Sequence, residues 1–127
     1  MPGVNKKVIL VVDDDATILA LYKRMFELRR IDILIARDGE EGISMIREHM
    51  PDFVILDVRM PKLDGITALK IIRSEEKIKD TPVLILTNFD HQEYRDETGK
   101  LGIVDFLVKI NIDPSFLVEK VEGYLTK

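Results

Sequence analysis

The sequence predicts a doubly wound α/β domain, a parallel sheet of five strands covered by helices on both sides. Three observations carry this. Short continuous runs of β-branched and aromatic residues recur along the chain, and between them the apolar spacing switches to that of helices. Turn-forming pairs stand at the junctions: Asp38-Gly39, Met50-Pro51, Asp64-Gly65, Thr81-Pro82 and Leu101-Gly102. Strands that alternate with helices of about ten residues need right-handed crossovers, which produce a parallel sheet with helices on each face.

The elements follow in chain order. Val8 to Val12 and Phe53 to Leu56 are apolar runs each followed by aspartate, and Val83 to Leu86 is a third that ends in Thr87. Such runs suit strands buried on both faces. Asp32 to Ala36 and Ile103 to Val108 supply two more strands, the second running into Lys109. Helical stripes are formed by Ile18, Leu19, Tyr22, Met25 and Phe26; by Ile43, Ile46 and Met50; and by Ile66, Leu69 and Ile72. A more polar helix is expected over His91 to Lys100, interrupted by Gly99. In the last helix Asp113 is placed to cap, Pro114 suits the first position, and Leu117, Val118, Val121 and Leu125 form the stripe.

The 127 residues, 46% hydrophobic and 33% charged, fit one compact domain over 1–127. A chain of this size buries roughly two-thirds of its unfolded surface, so folding needs no disulfide or metal staple. It has no cysteine, which excludes thiol catalysis, Cys-ligated metals and disulfides. The longest apolar runs are too short to cross a bilayer, and Met1 to Lys7 lacks the apolar core of a signal peptide, so the expected compartment is the cytoplasm. Net charge is −4 with the bases scattered, which argues against direct binding of nucleic acid or an anionic membrane.

In doubly wound sheets ligands bind outside the carboxyl ends of the strands. The residues there are Asp13 and Asp14, Asp57, Thr87 and Lys109. Clustered carboxylates repel one another unless a cation neutralises them, and with no cysteine and no nearby histidine an oxygen-liganded Mg²⁺ is favoured over zinc. A lysine and a threonine at the same rim suit a transferred phosphoryl group, whose oxygens need donors and positive charge. Asp57, alone at its strand end, is the best nucleophile, while the adjacent Asp13 and Asp14 are better arranged to hold a metal. Taken singly, Asp57 reads more readily as a turn or helix cap, Asp13 to Asp15 as caps of the following helix, and Thr87 and Lys109 as structural or solvated residues; their joint occurrence is the signal.

These residues resemble the receiver domain of two-component response regulators, of the chemotaxis-regulator type. The matching segments span essentially the whole chain: Val11-Val12-Asp13-Asp14, Asp57 to Gly65 with its Met60-Pro61 and Asp64-Gly65, Val83 to Thr87, and Asp105 to Lys109. The resemblance implies the flavodoxin-like strand order 2-1-3-4-5. It implies that Asp57 accepts a phosphoryl group from a histidine kinase, a phosphotransfer protein or a small phosphodonor. Asp14 and Asp57 would bind Mg²⁺ directly with the backbone carbonyl of Arg59, and Asp13 through water. Lys109 would pair with the phosphoryl oxygens. Thr87 would move inward and Phe106 follow it, reshaping the face of the fourth helix, fifth strand and fifth helix for a downstream protein or a phosphorylation-dependent dimer. For Phe106 the alternative is a plain half-buried strand aromatic. Asp64, Gly65, Met60 and Pro61 are expected to shape the loop, and His49 and His91 to lie on the surface.

The sequence departs from the family pattern at Ile110, where proline, often in a cis bond, is usual. A cis bond before isoleucine costs about 3–4 kcal/mol, so trans is expected, with consequences for the reach of Lys109. Arg59 and Phe89 are larger than is common beside the site, and each is expected to restrict access to it. No output segment follows Lys127, so the domain is expected to act through a partner or to be cut from a longer protein. Two rival readings remain. Asp13 to Thr17 fits the Asp-x-Asp-x-Thr pattern of haloacid-dehalogenase-type phosphatases, with Asp13 as nucleophile, although the chain is short for that class. A pseudo-receiver scaffold that is never phosphorylated is the other.

Overall fold

The structure, a computed structural model, describes residues 6–126; residues 1–5 of the Met1 to Lys7 segment, and Lys127, lie outside the described residues. The chain runs β1 (Val8–Val12), α1 (Ala16–Leu28), β2 (Asp32–Ala36), α2 (Gly39–His49), β3 (Phe53–Leu56), α3 (Gly65–Ser74), β4 (Val83–Thr87), α4 (Gln92–Lys100), β5 (Asp105–Val108), a 3₁₀ turn (Lys109–Asn111) and α5 (Pro114–Leu125). The five strands pair in parallel in the order β2-β1-β3-β4-β5. The expected fold class and strand order are both present.

Side chains alternate along each central strand, and so divide the core in two. Ile9, Val11, Phe53, Ile55, Leu84 and Leu86 face α1 and α5, where they meet Leu19, Tyr22, Phe26, Leu117, Val118, Val121 and Leu125. Leu10, Val12, Val54, Leu56, Val83 and Ile85 face the other way, against Ile46 of α2 and Ile66, Leu69 and Ile72 of α3. Each such side chain, fully buried, contributes about 1.5–3 kcal/mol. The rigid centre of the sheet, β1 and β3, is therefore the platform on which the first acids are mounted.

Helix starts follow the sequence closely. Asp15 caps α1 by accepting from the Thr17 and Ile18 N–H groups, and Asp113 caps α5 by accepting from the Ser115 N–H. Two expectations are corrected. Met50 is not part of the α2 stripe: it is the C-cap, in the left-handed region at φ 46°, and its side chain is 55% exposed. β5 begins at Asp105 and not at Ile103, because the chain leaves α4 through Gly102 at φ 78° and reaches the sheet only when the Val104 N–H donates to the Val83 carbonyl.

Candidate functional site

The strand order reverses at β1 and β3, and parallel pairing brings their ends level, Val12 opposite Leu56. The ladder continues one residue further on each. The Asp13 N–H donates to the Ala36 carbonyl and the Asp57 N–H to the Val12 carbonyl, both at 3.0 Å. Asp13 and Asp57 are thus fixed by backbone bonds at the carboxyl rim, where an α/β sheet binds its ligands. Both are buried, 2% and 4% exposed, and Asp14 beside them is exposed. One carboxylate oxygen from each of the three lies within 4.8 Å of the others.

Lys109, arriving from β5, places its ammonium 2.6 Å from Asp13 Oδ2 and 2.9 Å from Asp57 Oδ2. The remaining oxygens are also engaged: Asp13 Oδ1 accepts from the Asp15 N–H and Asp57 Oδ1 from the Val58 N–H. Burial pushes the Asp13 carboxyl above its ordinary value, against the opposing pull of Lys109 and the Asp15 N–H. Burial acts to lower the Lys109 ammonium, but the hydrogen bonds it donates to Asp13 and Asp57 outweigh it and hold the ammonium above its ordinary value. Nearby Tyr22, buried in the core, has its phenol pushed up to about 12 by desolvation. Three carboxylates facing one ammonium leave an excess of negative charge in a confined site. An all-oxygen donor set of this kind fits a small hard divalent cation.

Thr87 ends β4, fully buried, and its Oγ1 accepts from the Phe89 N–H at 3.2 Å. The Arg59 guanidinium lies 4.4 Å from the centre of the Phe89 ring. The two bulky residues expected separately at the border of the site therefore form one cation–π bridge between the β3–α3 and β4–α4 loops. Phe106 is 8% exposed, packed on the α2–α3 side of the core, with the Arg95 guanidinium 4.5 Å from its ring centre. It borders an open groove of about 620 Å³ that Leu107, Ile112 and the exposed Phe116 also line.

The loop from Asp57 to Gly65 folds back under the acid that begins it. Asp64 caps α3, accepting from the Thr67 N–H and hydroxyl, and the Gly65 N–H donates to the Val58 carbonyl at 2.7 Å. A Cβ on Gly65 would lie 1.9 Å from the Asp57 carbonyl oxygen, so only glycine permits this approach. Asp64 and Gly65 thus shape the loop, as expected. His49 and His91 are exposed, as expected, and His91 occupies the N-cap of α4 without a side-chain cap bond.

No cis peptide bond occurs among the described residues, and Ile110 follows Lys109 in trans. Sequence reasoning missed Asn88. Its Oδ1 accepts the Ile110 N–H at 3.0 Å, a bond that a proline at 110 could not make. The available signal was a carboxamide just after β4, level with the end of β5, together with the missing proline.

A parallel α/β sheet carrying buried acids, a lysine and a threonine at the carboxyl rim defines a phosphate-handling class of domain. The chain belongs to the response regulator receiver domain family, whose sequence profile matches residues 9–122. It is 40% identical over 106 residues to the alkaline phosphatase synthesis transcriptional regulatory protein PhoP of Bacillus subtilis, covering 83% of this chain and 42% of that protein. The chain spans about half the length of the curated relatives it matches. Among solved structures it is similar to the receiver domain of the Francisella response regulator 1452, with TM-score 0.83, 36% identity and coverage of 96% of this chain and 100% of that one. It is also similar to the chemotaxis protein CheY4 of Vibrio cholerae, with TM-score 0.84, 27% identity and coverage of 93% and 98%.

As a receiver domain it works in two-component signalling through an aspartate that is phosphorylated and dephosphorylated, and not as a conventional turnover enzyme. The acid cluster is the kind of site on which that chemistry takes place. Among the described residues no helix is long and apolar enough to cross a membrane.

Proposed function

We propose that Asp57 is the phosphoacceptor of this receiver, and that Lys109, Thr87 and the acids Asp13 and Asp14 serve the transfer. One observation carries the reading: the Lys109 ammonium bridges Asp13 and Asp57 at the point where the strand order reverses, with Asp14 beside them. Asp14, Asp57 and the Arg59 backbone carbonyl would hold Mg²⁺ directly, and Asp13 through water. Once bound, the ion would neutralise charge on the phosphoryl oxygens.

The chain's own groups do the rest. An Asp57 carboxylate oxygen attacks the phosphorus of a kinase phosphohistidine or of a small phosphodonor such as acetyl phosphate. The P–O bond to Asp57 forms as the P–N bond, or the acyl P–O bond, breaks, and the electron pair leaves on imidazole, which takes a proton from solvent, or on acetate. Lys109, already 2.9 Å from Asp57, is placed to pair with a phosphoryl oxygen. The Thr87 oxygen is engaged by the Phe89 N–H, which leaves its O–H to donate to the phosphoryl group.

Phosphorylation adds negative charge where two buried acids already share one cation. Thr87 moving inward and Phe106 with it would shift the face of α4, β5 and α5, bordered by the groove at Phe106. The partners are a histidine kinase or phosphotransfer protein upstream and a protein, or a second receiver, on that face. The setting is the cytoplasm, and 1–127 acts as one receiver unit.

The test is intact-mass spectrometry with peptide mapping after incubation with acetyl phosphate and Mg²⁺. A single phosphoryl adduct on Asp57, absent from Asp57→Ala and abolished by excess chelator with the fold intact, is the expected result. An adduct on Asp13 with repeated turnover would favour the phosphatase chemistry, and no adduct with either acetyl phosphate or a kinase would leave a scaffold.

A further inference from the structure

Lys109 has to deliver its ammonium to Asp57 from a backbone that is leaving the sheet. The last ladder pair of β5 is Thr87 with Val108. Lys109 then heads a 3₁₀ turn, closed by a long 3.4 Å bond from the Ile112 N–H to the Lys109 carbonyl. The first N–H groups of such a turn have no partner within it. Ile112 anchors the far end of the turn on the core, but Ile110, 79% exposed, adds no packing at its start.

The Ile110 N–H is nevertheless bonded, to Asn88 Oδ1 at 3.0 Å. Asn88 is itself held in place. It follows fully buried Thr87, and it sits inside the turn that the Phe89 N–H closes on Thr87 Oγ1. A side-chain carbonyl therefore supplies one further rung after the β4–β5 ladder has ended, joining the two loops that carry Thr87 and Lys109. Proline at 110 would remove the donor and would disfavour the helical backbone that Lys109 adopts here. This chain, with isoleucine at 110, fixes the loop by a different device.

From this geometry we infer that Asn88 is a positioning residue for phosphoryl transfer: through the Ile110 N–H it holds the turn from which Lys109 reaches Asp57. The inference rests on Asp57 being the acceptor. The Asn88 side chain bonds the Ile110 N–H and not Asp57 or the other acids, so its loss should spare metal binding and slow the chemical step.

The experiment compares wild type, Asn88→Ala, Asn88→Asp, Ile110→Pro and the Asn88→Ala/Ile110→Pro double variant. Three readouts are taken: Mg²⁺ affinity by NMR titration, the rate constant for Asp57 modification by acetyl phosphate at saturating Mg²⁺, and hydrogen exchange of the Ile110 amide. Asn88→Ala is expected to lower the rate constant by about tenfold or more, as small misplacements of a catalytic group do. Mg²⁺ affinity should stay at the wild-type value and the Ile110 amide should exchange faster. Asn88→Asp, which keeps the acceptor oxygen, should restore the amide protection. In the Ile110→Pro background, where no donor remains, Asn88→Ala should have no further effect on the rate. Equal rates in wild type and Asn88→Ala, or an equal loss in both backgrounds, overturn the inference while Asp57 stands. A wild type that takes no phosphoryl group on Asp57 overturns the acceptor reading and this inference with it.

Discussion

α3 and α4 pack side by side against the same face of the sheet, and they are held there by different physics. α3 buries Gly65, Ile66, Ala68, Leu69 and Ile72, and starts from Asp64, whose side chain caps it. α4 buries Thr98 alone, has half-buried Tyr94 as its apolar contact, and starts from His91 with no side-chain cap bond. What holds α4 is polar: Arg95 lies over Phe106 and pairs with Asp90, and Lys70 of α3 reaches Glu97 at 3.2 Å. The cost of moving a helix scales with the apolar area it must uncover. The helix under the acid loop is therefore anchored by burial, and displacing the one beside Phe106 would uncover less apolar area.

The ends of α4 differ as well. Arg73 of α3 donates to the carbonyls of Leu101 and Gly102, just past α4, and to those of Lys79 and Thr81, each at 2.8 Å. The carboxyl end of α4 is tied to α3 through one guanidinium, whereas its amino end is held by the Arg95–Asp90 pair and, through the preceding loop, by Arg59 over Phe89. The two ends should therefore respond differently to loss of the Arg73 guanidinium.

Four substitutions sharpen or break the contrast. The largest effect is expected from Leu69→Ala in α3, a loss of about 2–5 kcal/mol in urea unfolding, because it opens a cavity in a fully buried site. Arg73→Ala should cost about 1–3 kcal/mol by stranding the partly buried carbonyls of Leu101, Lys79 and Thr81, and hydrogen exchange should quicken at Gly102 and Val104 more than at Tyr94. If exchange instead rises evenly along α4, the tie made by Arg73 is not local to its carboxyl end. His91→Asp gives α4 the cap it lacks and should add about 1 kcal/mol, read as slower exchange of the first-turn amides. Gly99→Ala should add up to about 1 kcal/mol, since nothing lies within 4 Å of the new Cβ, and a loss in thermal unfolding would show that α4 is packed more tightly than described.

The same contrast explains how much could be read in advance. β1, β3 and α3 announce themselves as uninterrupted apolar runs and stripes, and with them came Asp13, Asp14 and Asp57, because an acid straight after a buried strand can only stand at the rim. Met50 was misplaced because a stripe does not show where the helix stops and the backbone turns left-handed. The start of β5 was misplaced because an apolar residue can approach a sheet without pairing to it. Arg59 with Phe89, Arg73 with the carbonyls of Leu101 and Gly102, and Asn88 with Ile110 were invisible, since each joins segments more than twenty residues apart in the chain.

Local periodicity and the chemistry of strand ends were sufficient, by themselves, to determine the α/β class, the positions of the central strands and the residues of the acid cluster with its threonine and lysine. They are sufficient because burial pattern and strand direction are properties of neighbouring residues. Only the tertiary structure decided which polar groups meet: that Lys109 bridges Asp13 and Asp57, that Asn88 supplies the bond missing after β5, and that Arg73 ties the carboxyl end of α4 to α3. Those contacts depend on distances of a few ångströms between loops, and loop geometry is set by how the elements pack.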